Sequence, residues 1–93
     1  MSKKQNRDEA IALISRTLAR YPNNDQLIFE LARHKFIGSR YKGRKECLAM
    51  LHDAETGFII VTENTKNDNR RAWAYHYLTT IAIFHKDYDK ARS

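Results

Sequence analysis

Residues 8–24 read DEAIALISRTLARYPNN, and this stretch decides the fold class. One set of its apolar residues recurs at steps of three and four positions: Ala10, Ile11, Ile14 and Leu18. That spacing places them on one face of an α-helix. Asp8 precedes the set, where a carboxylate favours a helix N-terminus, and Pro22 in Tyr-Pro-Asn-Asn marks the break that follows. The stretch predicts a first helix over residues 7–20.

The same helical period continues through the rest of the chain. A second helix is predicted over residues 25–37 by Leu27, Ile28, Leu31, Ala32 and Lys35. Asp25 offers its N-cap, and Gly38-Ser39 ends it. A third helix over residues 45–64 is predicted by Cys47, Leu48, Leu51, Ala54, Phe58 and Val61. A fourth helix over residues 70–85 is predicted by Ala74, Tyr75, Leu78, Ile81, Ala82 and His85.

Residues 58–62 have an alternative as a β-strand. Gly57 and the β-branched run that follows it are poor helix formers. A rival hairpin would pair this strand with a second one in which Trp73, Tyr75 and Tyr77 alternate outward. The phase of the third helix runs unbroken through Phe58 and Val61, so we expect helix.

Composition fits one domain spanning residues 1–93. The chain is 42% hydrophobic and 30% charged, and its 17 Lys and Arg exceed its 11 Asp and Glu to give a formal net charge of +6. Such a charge favours an acidic peptide, nucleic acid or an anionic membrane, and a solvated basic surface without a ligand is an equal alternative.

The sequence predicts a cytoplasmic protein without a membrane partner. It has a single cysteine, Cys47, and it contains neither an apolar run of about 18 residues nor a secretory signal.

Catalytic signatures do not occur in the sequence. The four His residues form no H-x-x-x-H pair, and there is no phosphate-binding loop, dinucleotide fingerprint or nucleophile elbow. Glu30 and His34 lie four residues apart, which is typical of a surface pair on a helix. We therefore expect no enzymatic activity, no cofactor and no metal site.

The order of these motifs resembles the tetratricopeptide repeat (TPR) family in a degenerate form. Residues 8–24 resemble a second helix with its closing turn, and Ile28, Leu31 and Ala32 match the first helix of the next repeat. The matching pattern of its second helix is carried by Cys47, Leu48, Leu51 and Ala54. Tyr75, Leu78 and Thr79, followed by a turn at residues 87–91, resemble another first helix. The resemblance implies antiparallel helical hairpins in a right-handed α-solenoid fragment, and the alternative is an unrelated four-helix bundle.

The resemblance also implies a concave groove lined by first helices, and the groove would bind a peptide or protein partner. Its implied partner-binding residues are Gln26, Phe29, Arg33, Phe36 and Ile37 from the second helix and Trp73, His76, Thr80, Ile83 and Phe84 from the fourth. Alternatively, Phe36, Trp73 and Phe84 belong to the core.

A basic cluster is the candidate anion-binding site: Arg40, Lys42, Arg44 and Lys45, with Arg33, His34, Lys35, Arg70 and Arg71 in addition.

The sequence thus predicts a protein–protein interaction module, such as an adaptor, assembly or regulatory factor. The alternative is a basic, nucleic-acid-associated regulatory protein. By the repeat pattern a hairpin half is missing at each end, which leads us to expect a homodimer through the fourth helix or a fragment of a longer repeat protein. The self-associating stripe would include some of Tyr75, Leu78, Ile81 and Ala82. A competing view is that the termini cap a monomer.

Overall fold

A computed structural model describes the backbone of residues 3–92 and the side chains of residues 7–86. This described part contains four α-helices: α1 (Lys3–Arg20), α2 (Asp25–Gly38), α3 (Arg44–Asn64) and α4 (Asp68–Arg92). A 3₁₀ turn, Ser39–Tyr41, follows α2 directly. No strand occurs in the described part, so the all-α class is confirmed.

Residues 58–62 lie inside α3, so the predicted helix is confirmed there and the rival hairpin is not formed. Phe58 and Val61 are both 0% exposed, because the helical phase keeps them on the core side. Two helix ends differ from the prediction. α1 begins earlier, at Lys3, and α4 continues to Arg92 where a turn was expected at residues 87–91. Residues 87–91 contain neither Gly nor Pro, the two strongest helix breakers, so α4 can continue through them.

The cap of α2 also differs from the expected one. The Asn24 side chain, not that of Asp25, accepts a hydrogen bond from the Leu27 N–H at 3.1 Å. Asn67 acts in the same way at the start of α4, where its Oδ1 accepts from the Arg70 N–H at 3.0 Å. Each side chain satisfies one of the backbone donors that a helix start leaves without an intrahelical partner.

α2 is the centre of the packing, because it contacts α1, α3 and α4. α3 in turn packs against α4. The buried core consists of Ala32, Phe36, Cys47, Leu51, Ala54, Phe58, Val61, Ala74 and Ile81. Gly57 brings α3 close to α2, since a Cβ at this position would lie 3.0 Å from the Cβ of Ala32.

The core face of α4 is rotated relative to the predicted stripe. Ala74 and Ile81 are 0% exposed and define the inward direction. Tyr75 is 55% exposed and Ala82 is also exposed, which corrects their expected place beside Ala74 and Ile81. Their places are taken by Tyr77 and Phe84, which pack against the core.

None of the helices in the described part combines the length and apolar character needed to cross a membrane.

Candidate functional site: an aromatic groove between α2 and α4

Tyr77 of α4 lies at the centre of an aromatic cluster. Its ring stacks on that of Phe58 at 4.9 Å between centroids with an interplanar angle of 8°. Phe29 and Phe36 of α2 present their edges to it at 6.0 and 5.6 Å. Phe29 also meets Phe58 at 5.7 Å. Such pairs contribute about 0.5–1.5 kcal/mol each beyond the area that they bury, so the cluster fixes α4 beside α2.

A hollow of about 300 Å³ opens above this cluster. We call it the α2–α4 groove, and it is lined by Phe29, Glu30, Arg33, Trp73 and Tyr77. Trp73 forms one wall and is 56% exposed, although its ring lies 6.2 Å from that of Tyr77. A second hollow of about 340 Å³ lies on the other side of Trp73 and includes His76. The indole is therefore a ridge with accessible space on both sides.

Arg33 supplies the cation of the groove. Its Nη2 donates to Oε2 of Glu30 at 2.7 Å, and both side chains are about one third exposed. Its Nε is buried and has no hydrogen-bond partner among the described residues. An unsatisfied buried donor costs about 1–3 kcal/mol. The Arg33 side chain is thus held by one carboxylate while part of its donor capacity is unused.

Arg40 lies in the 3₁₀ turn after α2, seven residues beyond Arg33 and in line with the same face of the helix. Gly38 and Ser39 keep right-handed helical backbone angles, so the 3₁₀ turn continues the direction of the helix. The guanidinium carbon of Arg40 lies 5.6 Å from the centre of the Phe36 ring. Among the residues that the structure describes, Arg40 makes no ion pair.

The predicted partner-binding residues take different places in the structure. Phe29, Arg33 and Trp73 come together in the groove, and His76 lies 5.6 Å from Trp73. Phe36, however, is only 5% exposed, so it belongs to the core beneath the groove and is not an accessible contact. Of the remaining ones, Ile37 and Phe84 pack against the core, and the Thr80 hydroxyl donates to the His76 carbonyl. Gln26 and Ile83 are exposed but do not line the groove.

Sequence reasoning missed two residues of the groove, Glu30 and Tyr77. Tyr77 follows Trp73 by four positions and therefore shares its helix face, which is the signal that would have placed it there. Glu30 was expected to pair with His34, but it pairs with Arg33. His34 instead accepts from Arg7 of α1, whose Nη1 lies 3.1 Å from the His34 Nδ1.

The candidate anion-binding residues do not all face one place. Lys42 lies 3.8 Å from a carboxylate oxygen of Asp8, and Arg40 covers Phe36. Arg44 and Lys45 are exposed in the first turn of α3. The four side chains therefore have different surroundings, and only Arg40 belongs to the face of α2 that forms the groove.

Arg70 and Arg71 hold the junction between α3 and α4. Arg70 donates to Oδ2 of Asp25 at 2.9 Å, and the Thr65 hydroxyl donates to the same oxygen. The Thr65 hydrogen bond lowers the pKa of the Asp25 carboxyl most, burial opposes it, and Arg70 adds to the lowering. Arg71 donates to the backbone carbonyls of Thr62 and Thr65 near the end of α3. Both arginines are thus engaged in holding the fold.

A larger apolar hollow, of about 630 Å³, lies on the other side of α2, against α1 and α3. Leu18, Ile28, Leu31 and Ile60 line it, and the ion pair of Lys35 with Asp53 (3.2 Å) closes its rim. Since both charges at this rim are already paired with each other, the hollow offers mainly apolar contacts.

No group of three or more His, Cys, Asp or Glu side chains that could hold a metal ion occurs in the described part of the chain. No family model, curated protein or solved structure matches this chain.

Proposed function

We propose that this chain is a protein–protein interaction module that binds a segment of a partner protein in the α2–α4 groove. The observation that carries the proposal is Trp73, an indole more than half exposed beside a hollow walled by Phe29, Tyr77 and Arg33. Tryptophan, tyrosine and arginine are the residues that most often dominate the energy of protein interfaces.

The size and openness of the groove favour an anchor side chain as its ligand. A volume of about 300 Å³ is at the lower end of small-molecule sites, and the hollow is open to solvent. One apolar side chain of a partner could be buried against Trp73 and Phe29 while its backbone stays outside. The groove would then work as an adaptor, assembly or regulatory contact.

The arrangement of the helices supports this proposal through the TPR resemblance. Each helix packs on the next one along the chain, and α2 also contacts α4. In a repeat of helical hairpins the first helices lie side by side in this way and line the partner-binding groove. In the proposed α-solenoid fragment α2 and α4 are those first helices.

The alternative, a nucleic-acid-associated protein, receives less support from the placement of the cations. Arg70, Arg71, Lys35 and Lys42 each lie within 4 Å of a carboxylate oxygen of the same chain. A protein that neutralises many phosphates needs cations that converge on one surface. We therefore favour a protein partner.

An affinity pull-down with three forms of the chain tests the proposal. Trp73→Ala should lose the proteins that the unaltered chain captures, since truncating a central aromatic anchor typically costs 2 kcal/mol or more, about thirtyfold in affinity. Tyr21→Ala is the control, because Tyr21 is 61% exposed but lies after α1, outside the groove. Capture that survives Trp73→Ala would contradict the proposal. If nuclease treatment abolished capture, and if binding to duplex DNA weakened steeply as salt rose, the result would favour the nucleic-acid-associated protein.

A further inference from the structure

We infer that the partner segment bound in the α2–α4 groove is acidic and places two carboxylates against Arg33 and Arg40 while an apolar side chain rests on Trp73. This inference depends on the proposed function and adds the charge of the partner and the spacing of its charges. It is carried by the way in which aromatic and cationic side chains alternate along α2.

Four residues form a single row on α2 and the turn after it: Phe29, Arg33, Phe36 and Arg40. At 100° per residue their positions fall within about 60° of one another around the helix axis. The helical backbone of Gly38 and Ser39 carries the row into the 3₁₀ turn. With a rise of 1.5 Å per residue in the α-helix and 2.0 Å in the 3₁₀ turn, Arg33 and Arg40 are separated by about 10–12 Å along the axis.

Both arginines have hydrogen-bond donors that the described chain does not use. A guanidinium carries five N–H donors. Arg33 gives one from Nη2 to Glu30; its Nε is buried, and its Nη1 makes no hydrogen bond to a described residue, so the Nη1 donors remain for a partner. Arg40 lies over the Phe36 ring and makes no ion pair with any described residue. Carboxylates are the acceptors that match a guanidinium best, because both groups are planar and each offers two bonding positions.

Charge complementarity selects the occupant. Among the described residues, Glu30 is the one carboxylate that lines the groove, and it is already bonded to Arg33. A basic segment would meet Arg33 and Arg40 with like charge, whereas an acidic one would also be attracted by the net charge of +6. Two carboxylates about 10 Å apart correspond to positions seven residues apart on a helix or three apart on an extended chain.

The test uses two tryptophan-free helical peptides and the fluorescence of Trp73, the single tryptophan of the chain. The first peptide carries two Glu residues seven positions apart with Leu residues on the same face, and the second carries Gln in place of Glu. We expect the Glu peptide to shift Trp73 emission to shorter wavelength and to bind about fivefold more tightly than the Gln peptide, as expected for exposed ion pairs.

Substitutions then locate the charge contact. Arg40→Gln should remove about half of the preference for the Glu peptide, because Arg33 still faces the second carboxylate, and the Gln peptide should lose less affinity than the Glu peptide. Arg16→Gln is the matched control, because Arg16 is exposed on α1 and its loss changes the net charge equally. Far-ultraviolet circular dichroism and melting temperature show whether each variant keeps its fold. Arg40→Glu should bind best to a peptide that keeps the Glu facing Arg33 and carries Lys at the position facing residue 40.

The outcomes separate the two proposals. Equal affinity for the Glu and Gln peptides would overturn the acidic partner while the groove remained a binding site. Equal losses in Arg40→Gln and Arg16→Gln would also overturn it, because only the net charge would then matter. If neither peptide changed the emission of Trp73, both the acidic partner and the proposed function would be contradicted.

Discussion

His34 connects α1 to α2 through one hydrogen bond that depends on its protonation state. Arg7 of α1 donates from Nη1 to the His34 Nδ1 at 3.1 Å, so that ring nitrogen must carry no proton. Burial lowers the pKa of His34 below the ordinary 6.5, Arg33 and Arg7 lower it further, and Glu30 opposes them. These are the charged groups that face the ring from both helices.

The depressed pKa of His34 predicts a loss of stability in mild acid. The unfolded chain takes up the proton near pH 6.5, whereas the folded chain takes it up only at lower pH. The stabilisation is therefore complete above pH 6.5, and it is lost as the pH falls through the pKa that His34 has in the folded chain. Melting temperature between pH 7.5 and 5 should fall, and His34→Gln should flatten this dependence.

The control for this measurement is His52→Gln, which removes an exposed histidine from α3. It should leave the slope of melting temperature against pH close to that of the unaltered chain. If His52→Gln flattened the slope as much as His34→Gln does, the contact between Arg7 and His34 would not be the source of the pH dependence.

The contact between α2 and α3 depends on one missing side chain. A Cβ at Gly57 would lie 3.0 Å from the Ala32 Cβ and 3.7 Å from Ile28. Ala32 is 2% exposed, and a Cβ has no rotamer by which to move away. A glycine costs a helix about 1 kcal/mol relative to alanine, so its presence in α3 is explained by the close approach of α2.

Gly57→Ala should therefore destabilise the chain despite the better helix propensity of alanine. Overpacking costs about 1–3 kcal/mol, which offsets the gain of about 1 kcal/mol and leaves a net loss of up to about 2 kcal/mol in the free energy of unfolding. Urea denaturation measures it. Ala32→Gly in the same chain should recover part of the loss, since the two sites are in contact.

Thr56→Ala is the control for Gly57→Ala. Thr56 is the neighbouring exposed position of α3, and its hydroxyl bonds only to the His52 carbonyl of the same helix. The substitution should be neutral or stabilise by about 0.5 kcal/mol. A Gly57→Ala chain that gained stability as Thr56→Ala does would contradict the packing argument.

The elements show which features of the fold the sequence could predict. Apolar spacing located all four helices, including residues 58–62, because a buried face repeats with the period of the helix. It did not fix the rotation of α4, since tyrosines at 75 and 77 both fit an amphipathic helix and only packing against Phe29, Phe36 and Phe58 places Tyr77 inside. The pairing of Glu30 with Arg33 depends on side-chain geometry that spacing alone does not contain.

On the scale of the whole molecule, the described side chains of α4 include three large apolar ones that face solvent. Trp73, Tyr75 and Ile83 are 56%, 55% and 57% exposed. Burying apolar surface stabilises an interface by about 25 cal/mol per Å² before the cost of association is subtracted. These three side chains are the described residues of α4 whose burial would stabilise a dimer. Self-association through α4 stays a prediction.

The structure also decides which substitution tests self-association cleanly. Leu78 packs against the core and Ile81 is 0% exposed, so placing Asp at either position would unfold the chain instead of dissociating a dimer. Tyr75→Asp avoids that ambiguity because the side chain already lies in solvent. Tyr21→Asp is the control, since Tyr21 is 61% exposed and lies outside α4.

We expect the molecular mass measured by light scattering to rise towards that of a two-fold dimer over a tenfold range of concentration centred on about 1 μM. Mass action favours association as concentration increases. Tyr75→Asp should keep the mass at that of a monomer, and Tyr21→Asp should not. Because Trp73 lies on the same helix, the Glu peptide should also lower the mass if both surfaces overlap. A folded chain that stays monomeric throughout would rule out the dimer and leave the whole of α4 accessible to a partner.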